Sequence, residues 1–299
     1  MTAAATVRSL HRYPVKSMLG ETVEEAVLGA AGVVGDRGYA VVDAEDGAVA
    51  SAKHPRKWAR LLDLRAAYLE EPRDGEALPP VAITFPDGGT RRSDDPAVDE
   101  AISAHVGRPV RLTSKAPERP VFEEQWPDID GLAPREFITG TTSSHTDGEP
   151  VSTLQLAALA PAGSFVDLAV LHVLTTATLR ALSAAAPDSS FDPRRYRPNV
   201  LLDVPETSFA EDEWVGSGLD IGGAGITIRM STMRCVMTTL AQGELPEDRD
   251  TLRTIARTNR RTIEGMGTWA CAGVYADISR PGTVRRGDPA EVRPAAPGD

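Results

Sequence analysis

Cys235 lies in a segment whose residue types suit nucleophilic or metal-binding chemistry. It comes just after a predicted strand that ends at Met230, where a sheet gives way to a loop, and Arg234 precedes it directly. A positive neighbour favours the thiolate, which is the form of cysteine that attacks electrophiles and binds metals. By itself the segment also fits a small buried cysteine, which is the commoner role of that residue.

Three other segments place cations at predicted strand ends. One is the loop after a strand over 6–13, one is an arginine between glycines at 35–38, and one is the run 194–199, which holds three arginines. Guanidinium groups bind phosphate in a bidentate manner, so the clusters favour an anion pocket. The alternative is a set of ordinary surface arginines paired with carboxylates. The candidate binding residues are Lys16, Ser17, Arg37, Arg197, Asn199 and Arg234.

The overall composition excludes several classes of protein. The 299 residues hold 32 Lys and Arg against 43 Asp and Glu, which gives a net charge of −11 and argues against a nucleic-acid partner. Two cysteines are too few for a disulfide scaffold or for a zinc site built from thiolates. No apolar stretch approaches the roughly 20 residues of a membrane span. A cytoplasmic bacterial protein with no membrane partner is therefore expected.

The strand and helix patterns predict a β-rich α+β protein built on β-barrels. Many short alternating segments are separated by turn signals, and a few segments have helical periodicity, as at 95–106, 177–186 and 250–259. Proline-rich residues 116–150 interrupt this series. The predicted division is an amino-terminal domain at 1–115, a Pro/Thr/Ser-rich linker or insertion at 116–150, a second domain at 151–292 and a disordered tail at 293–299.

Familiar catalytic motifs are absent from the sequence. The chain has no phosphate-binding P-loop, no dinucleotide-binding glycine fingerprint after a strand and no His-Glu-x-x-His helix. The five histidines show no spacing typical of metal ligands. His105 and His172 lie in apolar patterns, which favours satisfied core histidines over ligands. Cys271, in the Trp-Ala-Cys-Ala-Gly segment, is also expected to be a core residue.

Short motifs occupy residues 13–17, 35–37, 196–200, 234–239, 273–275 and 280–289. Together they resemble the MOSC-domain proteins. They occur in the order expected of that family's amino-terminal β-barrel domain followed by its MOSC domain, and they extend over residues 6–292. Within that family the sequence resembles the amidoxime-reducing components and their bacterial counterparts.

The resemblance implies a molybdenum cofactor, a pterin dithiolene that carries molybdenum and a terminal phosphate. In that family one cysteine completes the metal coordination, and the matching residue is Cys235. The pterin supplies two further sulfurs, so a single protein thiolate suffices. By motif, Lys16, Ser17, Arg37 and Arg197 hold the pterin and phosphate, and Asn199 supports them. The sequence departs from the family after the cysteine, where an Asp-Pro pair is replaced by Ala241-Gln242.

Three functions follow from the resemblance. The first is a molybdenum-dependent oxidoreductase that reduces small N-hydroxylated substrates and takes electrons from a separate donor protein. The second is sulfur transfer or cofactor sulfuration, with a persulfide or the cofactor at Cys235 and a separate cysteine desulfurase. The third is a cofactor carrier without turnover. The physiological substrate and the proton donor are not indicated by the sequence.

Overall fold

The computed structural model of the chain describes residues 5–157, 161 and 163–293. Strands make up 39% of it and helices 20%, which confirms the predicted β-rich α+β class. The elements of the first half are β1 (Ala5–Arg12), β2 (Glu21–Val23), β3 (Glu25–Gly29), β4 (Gly32–Val33), β5 (Ala40–Asp43), α1 (Pro55–Trp58), β6 (Arg65–Tyr68), β7 (Val81–Thr84), β8 (Thr90–Arg92), α2 (Val98–Val106) and β9 (Val110–Thr113).

The remaining elements begin within the predicted linker. They are β10 (Val121–Gln125), α3 (Arg135–Thr141), β11 (Thr142–Thr146), β12 (Glu149–Gln155), β13 (Leu171–Thr175), α4 (Thr176–Ala185), β14 (Val200–Asp203), β15 (Gly218–Ile221), β16 (Ala224–Met233), α5 (Asp250–Thr258), β17 (Arg260–Ile263), β18 (Gly267–Arg280), β19 (Gly282–Arg285) and β20 (Pro289–Arg293). Helix α4 begins as its sequence suggests, since the Thr175 side chain accepts a hydrogen bond from the Thr178 backbone amide.

Seven strands close into a barrel. Their order is β13-β14-β1-β20-β15-β16-β18, and a β13–β18 pairing completes the circle. Closure leaves no free edge within these seven strands. Apolar side chains fill the barrel core, among them Leu10, Val173, Ile226 and Val274. The predicted barrel fold is therefore confirmed.

The first strand joins the two halves of the sequence. Ala5, Val7 and Leu10 are buried in the barrel core, and Arg8 is exposed, so the side chains of β1 alternate across the barrel wall. This strand pairs with β14 and β20, both of which come from the second half of the chain. Backbone hydrogen bonds therefore connect 1–115 with 151–292. The domain boundaries themselves stay a prediction.

The rest of the first half forms small sheets around its own core. β5 pairs with β9, and β6, β7 and β8 form a three-stranded antiparallel sheet. β3 pairs with β4 and also with β19 from near the end of the chain. Trp58, Leu61 and Ile102 are buried in the core that these sheets enclose. The loops that connect the strands carry Lys16, Ser17 and Arg37.

Residues 116–150, predicted to be a linker or insertion, contain regular secondary structure. β10, β12 and β11 form a three-stranded antiparallel sheet, and α3 precedes β11. The Phe137 ring packs against Trp269 of β18 at 4.9 Å between centroids, and Trp126 lies within 6.1 Å of the same indole. This segment therefore packs directly on the second half of the chain.

The carboxyl-terminal tail, predicted to be disordered over 293–299, lies outside the described residues except for Arg293. Arg293 is the last residue of β20 and pairs with Gly218. Among the described residues, no helix has the length and apolar character that crossing a membrane requires.

Candidate functional site

One cavity gathers every site residue that the sequence predicted. It lies where loops of the first half of the chain meet the ends of barrel strands. The predicted residues in its wall are Lys16, Ser17, Arg37, Arg197, Asn199, Arg234 and Cys235. Residues that are separated by more than 200 positions in sequence therefore surround a single space. Lys53, Asp167, His172, Arg195 and Tyr275 also line it.

Cys235 is separated from the end of β16 by Arg234 alone, and it directly precedes the short 3₁₀ helix Val236–Thr239. Its side chain contacts the cavity and also packs in a small apolar cluster with Leu62 and Met237. Burial raises the pKa of the Cys235 thiol, and the positive charges of Lys53 and Arg234 offset only part of this effect. Arg234 therefore favours the thiolate as expected, but burial outweighs it and the free thiol stays protonated at neutral pH.

Three guanidinium groups in the cavity wall have no carboxylate partner among the described residues: those of Arg195, Arg197 and Arg234. Arg197 donates from Nη1 to the Met18 carbonyl at 2.7 Å, and Arg234 donates from Nη2 to the Tyr196 carbonyl at 3.0 Å. Arg197 Nη2 and Arg234 Nε are buried and have no hydrogen-bond acceptor in the described part of the chain. Buried donors of this kind normally have partners, so the cavity presents unmet donors and unmet positive charge.

Arg197 is the clearest case of an uncompensated cation. Burial, followed by repulsion from Arg37, lowers its pKa to about 10. Its guanidinium lies 4.1 Å from the ring centroid of Tyr13, and that of Arg37 lies 4.5 Å from the same ring. Arg37 differs in having a carboxylate partner, Asp36. An anion bound beside Arg197 would relieve both the repulsion and the desolvation.

Ser17, Arg37 and Arg197 share an uncommon backbone conformation. Their φ angles are 63°, 48° and 55°, in the left-handed region that residues with a Cβ rarely adopt. Five non-glycine residues of the described chain have positive φ, and these three all line the cavity. Strained backbone of this kind persists where the surrounding structure fixes it, often at binding sites.

Lys16 is held by groups of the protein itself. Its ammonium forms an ion pair with Asp167 and donates to the Phe165 carbonyl at 3.1 Å. The Lys53 ammonium lies 3.3 Å from Asp167 and 3.1 Å from Glu124. Burial favours the protonated form of Asp167, but Lys16 and Lys53 outweigh it and hold the pKa of this carboxyl well below its ordinary value. The four side chains form one network of three ion-pair contacts, in which two positive charges meet two negative charges.

The two lysines also share an aromatic neighbour from the segment predicted to be a linker. The Phe122 ring of β10 lies 5.4 Å from Lys16 Nζ and 4.9 Å from Lys53 Nζ. Glu124, the carboxylate partner of Lys53, belongs to the same strand. Residues 116–150 thus supply contacts to the side chains that line the cavity.

Asn199 connects strands through its side-chain amide. Its Oδ1 accepts from the His172 backbone amide at 3.1 Å, and its Nδ2 lies 3.4 Å from the His11 carbonyl. These bonds tie β13 to β1 at the cavity wall. Asn199 therefore fits the supporting role that the resemblance implied, since its acceptor is already engaged by the protein.

His172 differs from the expected satisfied core histidine. Its ring is buried, but Nε2 has no partner among the described residues and the side chain lines the cavity. Burial, and then the charge of Arg234, lower its pKa well below the ordinary value, so the imidazole is neutral. Gly273 makes room for it, because a Cβ at that left-handed position (φ 84°) would clash with the ring. The other histidine of this prediction, His105, packs against Phe85 outside the cavity.

Arg195 holds the chain that follows Cys235. This fully buried side chain donates to four backbone carbonyls at 2.6–3.3 Å, those of Ser190, Thr238, Leu240 and Pro246. Two of them belong to the segment directly after the cysteine. The guanidinium therefore fixes the path of that segment. Arg195 belongs to the predicted basic cluster at 194–199, but it was not among the predicted binding residues.

Arg195→Met should destabilise the protein by about 3 kcal/mol, because it leaves several buried carbonyls without donors. Urea unfolding followed by circular dichroism measures this change. Arg253→Met is the matched control, since Arg253 is an exposed residue of α5, and its stability should stay within about 0.5 kcal/mol of wild type. Equal stability of the two variants would contradict the anchoring role.

Two missed residues left weak signals in the sequence. In the sequence, Lys53 follows two short apolar segments at 39–43 and 48–52, and Asp167 precedes the apolar run 168–174, so each stands at the end of a strand-like pattern, as the predicted cations do. In the described ranges, no group of three or more His, Cys, Asp or Glu side chains is placed to hold a metal ion.

Two family models match the sequence. The MOSC domain matches residues 162–291, and the MOSC N-terminal beta barrel domain matches residues 4–71. No curated protein matches the chain. Among solved structures, the YuaD protein from Bacillus subtilis aligns with 98% of this chain and 97% of its own, at 10% identity and a TM-score of 0.45. YiiM from Geobacillus stearothermophilus aligns with 44% of this chain and 57% of its own, at 15% identity and a TM-score of 0.32.

Proposed function

Because the chain belongs to the MOSC-domain proteins and carries their amino-terminal β-barrel domain, we propose that its cavity binds the molybdenum cofactor and reduces N-hydroxylated substrates. The observation that carries this proposal is the convergence of Cys235 with Arg197 and Arg234 around one space. The domain family usually binds this cofactor. The reaction and the substrate class are inferred from the resemblance of the sequence to the amidoxime-reducing components.

The residues present fit an anionic cofactor. Arg195, Arg197 and Arg234 bring three positive charges without carboxylate partners in the described chain, while the two lysines are balanced by Asp167 and Glu124. A terminal phosphate with nearly two negative charges would offset most of this excess and accept from Arg197 Nη2 and Arg234 Nε. Cys235 provides the single soft ligand that the pterin dithiolene leaves to the protein.

When bound, the cofactor would supply two-electron redox chemistry for the reduction of the substrate. Cys235 would hold the metal, and its thiol proton would leave as the metal binds. Arg197, Arg37 and Ser17 would hold the pterin and phosphate from loops whose strained backbone is already formed. Lys16 and Lys53 keep Asp167 ionised beside the cavity. Electrons would come from a separate carrier protein.

Sulfur transfer is the weaker candidate on physical grounds. A persulfide carrier needs a thiolate that is accessible to a partner desulfurase. Cys235 is only 9% exposed, and burial raises the pKa of its thiol. Both features suit a cofactor ligand better than a free nucleophile. A labile extra sulfur atom on Cys235 in the intact mass of the purified protein would reverse this preference.

The proposed reaction predicts turnover of a model amidoxime. Protein loaded with the cofactor should convert benzamidoxime to benzamidine with reduced methyl viologen as the electron source, at a rate proportional to its molybdenum content. Liquid chromatography of the product measures this rate. Fully loaded protein that forms no benzamidine above the protein-free control would rule out this substrate class.

A further inference from the structure

A second cavity shares one wall residue with the proposed cofactor site. Arg197 is the one described residue that lines both spaces. The other walls of the second cavity come from β1, β2, the start of β6 and the loop that holds Gln242. About 60 Å³ of it is open to the centres of water molecules, which is room for a few waters or one ion of the size of phosphate. The proposed function assigns no ligand to this cavity.

Gln242 brings an unbonded side-chain amide to the second cavity. The residue is only 4% exposed, and its buried Oε1 has no hydrogen-bond donor in the described part of the chain. Two backbone hydrogen bonds to Leu245, both 3.0 Å long, hold Gln242 in a tight turn. Buried amide oxygens normally have a donor, so a ligand that brings an O–H group would satisfy this one. Gln242 is also part of the Ala-Gln pair that replaces the Asp-Pro pair of the family.

The two carboxylates that line the second cavity each have an arginine partner. Glu21 pairs with Arg12 at 2.7 Å, and Glu244 pairs with Arg194 at 2.5 Å. Arg194 also pairs with Asp192 at 2.8 Å, so it has no positive charge to spare for a ligand. These contacts lie within the protein itself, and none of them calls for a bound cation.

The two remaining arginines of the second cavity have no carboxylate partner in the described ranges. Arg65 donates to the Gly20 carbonyl at 3.0 Å. Arg197 donates from Nη1 to the Met18 carbonyl, and its other two nitrogens have no acceptor there. His11 adds no charge, because burial lowers the pKa of its imidazole. The cavity therefore favours a small anion that accepts from guanidinium groups.

We propose that the second cavity binds inorganic phosphate, with Arg65 and Arg197 as donors and Gln242 Oε1 as the acceptor for its O–H group. This site goes beyond the proposed function and does not need the molybdenum cofactor. Inorganic phosphate is an anion that still carries an O–H group near neutral pH. Sulfate and doubly ionised phosphate esters have a similar tetrahedral head without an O–H, so they would leave Gln242 Oε1 without a donor.

Isothermal titration calorimetry of cofactor-loaded protein tests the site, because the first cavity is then filled. At about pH 8 phosphate esters are doubly ionised, since their second pKa is about 6. Wild type should bind one phosphate per chain. It should bind sulfate and methyl phosphate about tenfold more weakly, since each leaves a buried acceptor unmet. Chloride at constant ionic strength serves as the background salt.

Two variants test the assigned contacts. Gln242→Met should remove the preference, so that phosphate and sulfate bind within about twofold of each other. Arg65→Met should weaken both anions by about tenfold, and because Arg65 is exposed this variant should fold like wild type. Gln155→Met is the matched control for Gln242→Met, since Gln155 is an exposed residue at the end of β12, and it should bind as wild type does.

Three results would overturn the proposal: no phosphate bound by loaded protein, equal affinity of wild type for phosphate and sulfate, or an unchanged preference in Gln242→Met. Phosphate binding that is confined to cofactor-free protein and lost in Arg234→Met would place the anion in the first cavity and overturn it as well. Failure of the proposed function is a separate outcome, because protein without molybdenum can be titrated in the same way with Arg234→Met as the background.

Discussion

Cys235→Ser should lower the turnover of benzamidoxime below detection, a loss of more than about 100-fold. Cys235 is the one thiol among the described residues that line the cavity, and a serine hydroxyl is a hard and weakly acidic replacement for it. Even groups that only support a metal ligand contribute about 10–100-fold to affinity or activity, so loss of a direct ligand should exceed that range. The assay compares wild type and variant at equal protein concentration.

Cys271→Ser is the matched control for this substitution. Cys271 is fully buried in β18, and its thiol contacts the Trp269 carbonyl at 3.4 Å, outside the cavity wall. The substitution should lower the free energy of unfolding by about 1–2 kcal/mol, and the variant should retain most of the turnover per bound molybdenum. If the two variants lost turnover equally, the distinct role of Cys235 would be wrong.

Arg197→Met should weaken cofactor retention by about 10–150-fold and have little effect on the stability of the cofactor-free protein. Each charge-assisted hydrogen bond to phosphate contributes roughly 1.5–3 kcal/mol. In the cofactor-free protein the same guanidinium is a buried cation repelled by Arg37, and its removal offsets the loss of the Met18 contact. Molybdenum content after dialysis measures the first effect, and thermal unfolding of the cofactor-free protein measures the second.

Arg194→Met is the matched control, because Arg194 belongs to the same basic segment of the sequence as Arg197. Arg194 is partly exposed and paired with Asp192 and Glu244, so it carries no unmet charge. This variant should keep its molybdenum through the same dialysis. If the Arg197→Met variant retained molybdenum as firmly as the Arg194→Met variant, Arg197 would not belong to the cofactor site.

Local patterns in the sequence predicted most elements of the fold. The alternation at 6–13 predicted β1, and the helical periodicity at 177–186 predicted α4. Pairing between distant elements was not predicted, because alternation shows which side chains are buried but not which strand lies beside them. The position of β1 between β14 and β20 is the clearest case. The sheet formed by β10, β11 and β12 was not predicted, because prolines and polar residues interrupt the alternating pattern of its short strands.

The residues of the candidate site were likewise predicted only in part. The residues predicted from motifs and strand-end cations all reached one cavity, since strand ends and loops meet where the barrel joins the first half of the chain. Lys53 and Tyr275 were not predicted as site residues, because one lysine after a hairpin and one tyrosine in a strand resemble many surface and core residues. His172 was predicted to be a core histidine because its neighbours in the sequence are apolar. Those neighbours are buried, but the His172 ring itself lies at the cavity wall.

Molybdenum analysis tests the central claim most directly. Wild-type protein and Cys235→Ser are purified in parallel from a host that makes the cofactor, and molybdenum is measured by inductively coupled plasma mass spectrometry beside pterin fluorescence after oxidation. We predict molybdenum close to stoichiometric with the chain in wild type, and loss of nearly all of it in Cys235→Ser. Wild-type protein without molybdenum or pterin, or a variant that retains both in full, would contradict the account.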